Sequence, residues 1–300
     1  MLKSFSQLLK NSAFALFSVG LVTAPAHAIN ITTTGNGNDL VNSILGSGIT
    51  VSNVTYNGYP TASGLFTDGL SSGIGIDKGI ILTTGNANLA VGPNNQDGAT
   101  GSNSFPGDAD LNSLIPGFNT YDAAVLEFDF ESTTGDLFFN YVFASEEYNE
   151  YANSSFNDVF GFFLDGVNIA LIPGTTTPVS INNVNGGNPL GTNPKNPQYY
   201  INNDLSDGGP FFNIQYDGFT KVFTAQVKGL SAGKHNIKLA IADAGDSILD
   251  SAVFIQAGTF SSEPPKDVPE PASLLGILAV GGFGATSLRK HQMPKTQAKA

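Results

Sequence analysis

LFFNYVFASEEYNEYANSSFNDVFGFFLDG, Leu137–Gly166, consists of two apolar runs with a polar loop between them. In the first run Leu137, Phe139, Tyr141 and Phe143 alternate with Phe138, Asn140, Val142 and Ala144; the second, Val159–Leu164, is apolar almost throughout. Aromatic and β-branched residues at this density make strands buried on at least one face. Between the runs lie Ser145, Glu146, Glu147, Tyr148, Asn149 and Glu150, then Asn153, Ser154, Ser155, Asn157 and Asp158. Two deep strands presenting an acidic, amide-rich loop are the usual arrangement of a site.

Outward from this stretch the chain reads as short strands joined by turns. Upstream, Ala124, Leu126, Phe128 and Phe130 face one way and Val125, Glu127 and Asp129 the other; Gly79–Thr84 is a buried strand, Ile49–Tyr56 alternates, and Ile29–Thr34 and Gly64–Thr67 are shorter candidates. Downstream, Asp165-Gly166 turns a hairpin into Val167–Ile172. A short strand is expected near Val179, Ser231-Ala232-Gly233 joins strands at Phe219–Lys228 and His235–Ala242, and Asp250–Phe260 is the last strand before a linker, 261–268. Asn38-Asp39 caps a short helix, Leu40–Leu45, and Asp110–Ile115 makes one helical turn. Gly85–Gly107 and Thr175–Gln198 are long loops. So little helix predicts an all-β fold: an antiparallel two-sheet sandwich over 29–260, jelly-roll-like rather than a barrel, with long loops and one or two short helices. No internal repeat points to a propeller or solenoid.

YVFASEEYNEY followed by FNDVFGFFLDG resembles the choice-of-anchor L domain of exported Gram-negative proteins, and YDGFT (Tyr216–Thr220) and LAIADAGDSILDSAVF (Leu239–Phe254) fit it in order. The resemblance covers roughly Gly73–Phe260 and implies an exported protein with an interchangeable C-terminal anchor.

Both ends carry sorting features. Lys3 and Lys10, the apolar Ala13–Val22 and Ala26-His27-Ala28 make a secretory signal, 1–28, for the Sec machinery, with Ile29 as first mature residue. Pro269-Glu270-Pro271, the apolar 272–288 and the basic Arg289-Lys290-His291 resemble a PEP-CTERM signal over 269–291, followed by a polar tail, 292–300. That resemblance implies transient membrane insertion through 272–288 and processing by an exosortase-type enzyme; the alternative is a plain membrane anchor. The expected location is the cell surface or extracellular space after export across the inner membrane.

The 300 residues include no Cys and no Trp, and the net charge is −12. Residues 29–268 hold seven of the 13 basic residues and 24 of the 25 acids, a net −17. Such a surface disfavours nucleic acid and favours cations, although acidity also simply keeps an exported protein soluble. Without cysteine there is no disulfide, so the core or bound ions supply stability.

Catalytic residue types are sparse. His235, the one histidine between 29 and 268, is expected to face solvent beside a turn, whereas a Ser-His-Asp site needs the imidazole held by a buried acid. Thiolate and multi-histidine zinc sites are excluded, and Gly73-Ile74-Gly75 lacks the helix a phosphate loop needs. A glycosidase needs two carboxylates, which Glu127, Glu131, Glu146, Glu147 and Glu150 offer, and Tyr148, Tyr151, Tyr199 and Tyr200 offer sugar-stacking faces. The stronger pattern is oxygen-rich: Glu146, Glu147, Asn157 and Asp158 in one segment and Asp243, Asp246 and Asp250 in another, with Asp108 and Asp110 a lesser pair. Asp97 is read as an acid outside these groups. Neither main segment contains Lys or Arg, and calcium takes such ligands, so the two segments are expected to meet at one edge of the sandwich around Ca2+; the plainer alternative has Asp243 and Asp250 capping turns. The reading is a non-enzymatic surface or matrix protein that binds, adheres or builds structure, with exopolysaccharide as a candidate partner; the alternative is a secreted glycan-binding or glycan-hydrolysing protein.

Overall fold

The structure, a computed structural model, describes residues 27–265. Thirteen strands form two antiparallel sheets. The larger sheet runs β1 (Asn30–Thr33), β3 (Ser63–Thr67), β4 (Gly79–Thr83), β13 (Ser251–Gln256), β6 (Leu137–Ser145), β10 (Gly218–Thr220) and β9 (Tyr200–Asn202), with β11 (Phe223–Val227) also paired to β6. The smaller runs β2 (Ile49–Asn57), β5 (Thr120–Ser132), β12 (His235–Ala244), β7 (Val159–Leu164) and β8 (Val167–Asn168). This is the expected all-β sandwich.

The opening stretch sets the core. Leu137, Phe139, Tyr141 and Phe143 of β6 point between the sheets, onto Phe160 and Phe162 of β7 and Phe128 and Phe130 of β5. Ring centroids of Phe139–Phe162, Tyr141–Phe162 and Phe143–Phe160 are 5.0, 4.9 and 5.1 Å apart. The alternate residues Val142 and Ala144 enter a second cluster with Tyr216, Phe219 and Phe254, under loops that cover the outer face of the larger sheet. Every residue of β6 is therefore buried, which is why its sequence is apolar on both alternations. On the outer face of the smaller sheet, Leu111 of α3 (Ala109–Leu114) packs with Val125, Val159 and Phe163.

Several boundaries differ from the sequence reading, each for a local reason. The first helix, α1, spans Gly37–Ile44 because Asn36, not Asn38-Asp39, is its cap; the Asn36 side chain accepts from the Asn38 N–H. A further one-turn helix, α2 (Gly69–Ser72), was not expected. Phe219–Lys228 is two strands, since three residues (220–222) of this segment oppose two of β6 (142 and 143). Thr220 Oγ1 accepts the Phe143 N–H at 3.1 Å across that bulge. The Asp165-Gly166 hairpin is present, with φ of 48° and 81°, but its second strand stops at Asn168. The Asn168 side-chain oxygen accepts the N–H groups of Phe162 and Ala170, both at 3.0 Å, in place of a ladder. Near Val179 there are only isolated bridges, from Ser180 to Val159 and from Pro178 to Leu171. Ser261, expected in the linker, exchanges backbone bonds with Phe138, and the Ser262 N–H donates to Ser47 O.

No helix among the described residues is long and apolar enough to cross a membrane. The sorting segments, 1–26 and 266–300 with Pro269, Glu270, Pro271 and 272–288, lie outside the described residues. Ala28, the expected cleavage position, precedes Ile29, which is buried in the second cluster.

Candidate metal centre

Two crossings between the sheets build the site. The chain passes from the larger to the smaller sheet between β6 and β7, and returns between β12 and β13. Ser251, first in β13, pairs with Ser145, last in β6; Ala242 near the end of β12 pairs with Val159, first in β7. Antiparallel pairing thus sends both crossings over the same end of the sandwich. The 146–158 and 243–250 segments lie side by side there, and the Glu146 N–H donates to Asp250 O at 3.0 Å.

Glu146, Glu147, Asp158, Asp243 and Asp250 are each only 1–2 % exposed. Asp158 is the most fully bonded: its Oδ1 accepts the Ala244 N–H at 2.8 Å and its Oδ2 the Ser251 hydroxyl at 2.6 Å. Asp250 Oδ1 accepts the Gly101 N–H at 3.0 Å, and Glu146 Oε2 the Ala99 N–H at 3.1 Å, so the long 85–107 loop is tied over the site. Four carboxylate oxygens have no hydrogen-bond partner although buried: Glu146 Oε1, Glu147 Oε2, Asp243 Oδ1 and Asp250 Oδ2. The ion pairs among the described residues involve only His235 and Lys238, so no cationic side chain neutralises these groups.

The electrostatic consequence is uniform. Burial raises the pKa of Asp250 to about 6 and that of Asp158 to about 7. Burial, then the charges of Asp158, Asp246 and Glu150, raise Glu147 to about 10. Glu146 and Asp243 stand well above the usual carboxylate range, by burial first and then through Asp217 and Asp158 respectively. Five buried acids that resist ionisation need protons or a cation. Backbone space follows the same demand: a Cβ on Gly85 would sit 1.6 Å from Asp250 Oδ2, so only glycine lets the chain pass that carboxylate.

Two of the seven expected ligands stand apart. Asn157 Oδ1 accepts the Asn182 N–H at 2.8 Å, a bond that holds the 175–198 loop. Asp246 is half-buried; its Oδ1 accepts the Ile248 N–H at 3.2 Å, while its charge still raises Glu147 and Asp158. The lesser pair is also reassigned: Asp108 and Asp110 hold Lys238 Nζ at 2.5 and 2.8 Å.

Beside this group lies another that sequence reading did not assemble. Asp97, Asp204 and Asp217 are the one set among the described residues whose ligand oxygens all lie within 4.8 Å of one another. Asp97, expected outside any acid group, thus belongs to one.

A family model, the choice-of-anchor L domain, matches residues 28–261. The chain belongs to the choice-of-anchor L family. No curated protein and no solved structure matches it. The match begins well before Gly73, where the motif resemblance starts, and takes in β1–β3, which complete both sheets. Membership goes with a surface-associated or exported protein.

In this choice-of-anchor L domain the second acid set is not legible in the sequence because its members lie in three separate polar loops; the pairing of β10 with β9 sets Asp217 near Asp204, and Asn94, which donates to Asn203 O and to Asp217 Oδ1, brings the loop of Asp97 to them. Asp122 is hidden for a different reason: it reads as a strand residue, yet its carboxylate accepts the Asn103 and Phe105 N–H groups and the Ser102 hydroxyl, shaping the 102–105 turn. His235 is also corrected. It does not face solvent but is buried, with Nδ1 2.6 Å from Asp165 Oδ2.

Proposed function

We propose that this choice-of-anchor L protein is a non-enzymatic component of the cell surface or extracellular matrix whose sandwich is locked by calcium at the paired crossings. In this reading the Sec pathway exports it through the 1–28 signal. The 269–291 segment is a PEP-CTERM signal that inserts through 272–288 and is cut by an exosortase-type enzyme near Pro269–Pro271. The observation that carries the calcium reading is the set of four buried carboxylate oxygens without a partner. Hard oxygen donors of this kind suit calcium, which draws its remaining ligands from carbonyls and water. The acidic body and the family's surface association support a binding or structural role, with exopolysaccharide as a candidate partner.

The glycan-hydrolysing alternative has less to stand on: Glu146 and Glu147 are closed to a polysaccharide by burial, and Tyr148 is buried beneath Tyr200 rather than offered to a sugar.

Thermal melting in excess chelator and in millimolar calcium tests the reading. Calcium raises the melting temperature of the wild type and of Asp77→Ala, an exposed acid at the far end of the larger sheet. The rise is lost in Asp243→Ala and Asp250→Ala. Identical melting with and without calcium would remove the ion from the account. Intact mass of the secreted protein tests processing: a chain still ending at Ala300 makes 272–288 an anchor.

A further inference from the structure

We propose that Asp97, Asp204 and Asp217 hold a second calcium ion, separate from the one at the crossings and beside the buried, unpartnered Oε1 of Glu146. Calcium–oxygen distances of about 2.3–2.6 Å place the ligands of one ion within about 5 Å of each other, the spread these three carboxylates already have. Three acids alone would say little. The additional observation is Glu146, 2 % exposed, whose Oε1 has no partner while its Oε2 takes the N–H of Ala99, two residues along the chain from Asp97. Asp217 precedes Gly218, the partner of Ser145 across the ladder, so Asp217 and Glu146 leave adjacent strand ends side by side. Of the charges acting on Glu146, that of Asp217 is the strongest.

The surrounding hydrogen bonds orient the set as outer-shell partners orient metal ligands. Asn94 Nδ2 donates to Asp217 Oδ1 at 2.5 Å. Asp204 Oδ2 accepts the Asn149 N–H at 3.2 Å, and its Oδ1 the Ser206 N–H at 2.6 Å. An ion here joins the 85–107 loop, the turn after β9 and the start of β10. Glu146 stands between this group and Asp250, whose charge also acts on it, so the two ions share one wall.

Equilibrium dialysis of the full chain against calcium, with metal counted per chain, separates the two sites. Asp97→Asn is the first variant because Asp97 is exposed and its loss does not threaten folding; Asp217→Asn is the second and Asp243→Asn marks the crossing site. The expected result is two ions in the wild type and one in each variant, or a second-site affinity weakened at least about tenfold in Asp97→Asn. One ion in the wild type that Asp97→Asn and Asp217→Asn lose but Asp243→Asn keeps supports this site and rejects the crossing site. One ion that survives both Asp97→Asn and Asp217→Asn overturns this proposal and leaves the crossing site standing. No ion at all overturns both.

Discussion

His235 Nδ1 lies 2.6 Å from Asp165 Oδ2, and its Nε2 lies 3.0 Å from Ser231 O and 3.4 Å from Ser231 Oγ. The outline is that of a Ser-His-Asp triad, but the proton count is wrong for one. With a carbonyl on one nitrogen and a carboxylate on the other, both nitrogens must donate, which favours imidazolium and leaves no lone pair to take the serine proton. Accordingly the pKa of His235 is raised above 6.5, by the Ser231 carbonyl first and then by Asp165. Burial pulls Asp165 upward, yet the bonds from His235 and the Asn236 N–H outweigh it and hold its pKa low. A base whose folded pKa is raised contributes stability that is fully present below the unfolded value and is lost as pH rises through the folded one. The imidazole should therefore titrate by NMR above 6.5 and shift downward in Asp165→Asn; an unshifted midpoint in that variant would show that the pair does not hold the charge. The sequence placed His235 correctly beside a turn. It did not disclose the acid, which arrives from the β7–β8 hairpin seventy positions away in the chain.

The crossings carry the next prediction, because their acids titrate as a group. A carboxyl whose folded pKa is raised stabilises the fold only while protonated. That contribution is complete below the ordinary range near pH 4 and is lost as pH rises through the folded value. The steps here fall at about 6 for Asp250, about 7 for Asp158 and about 10 for Glu147, with Asp217 in the adjoining set at about 8. Metal-free protein should therefore lose melting temperature steadily between pH 5 and 9. In calcium the ionised acids are the ones that bind, so the gap between calcium and chelator curves should widen with pH, and binding should release protons. Parallel curves would mean that these acids are not the ligands. The strands that frame the crossings were legible because aromatic and β-branched residues fill them, and the acid segments because they lack any basic residue. Their meeting was expected from charge alone; the register that produces it, with Ser145 facing Ser251 and Val159 facing Ala242, was not legible, because alternation alone does not fix it. Nor was the bulge at 220–222, since the residues flanking it keep the composition of a continuous strand.

At the scale of the whole molecule, a body without cysteine is closed by different means at its two ends. At the end where β6 begins, Phe260 sits 5.2–5.4 Å from the rings of Phe128, Phe130 and Phe139, and its neighbour Ser261 bonds Phe138 in both directions. This aromatic plug fastens the final residues of the body across both sheets. At the end where β6 leaves the sheet lie the acids. Phe139 and Ser145 are separated by six residues of strand, about 20 Å, so the two closures share no partners. Phe260→Ala should cost about 3–5 kcal/mol, as large aromatic deletions in a core do. For a body of this size that is a fall of roughly 6–20 °C in melting temperature. Calcium at a hundred to a thousand times its Kd should add about 3–4 kcal/mol per ion by mass action. Distant perturbations of a single cooperative unit add to within about 0.5 kcal/mol. The calcium increment measured by denaturant unfolding should then be the same in wild type and in Phe260→Ala. A markedly smaller increment in the variant would show that the plug and the acid end are coupled through β6, and that the ions do not act as an independent closure.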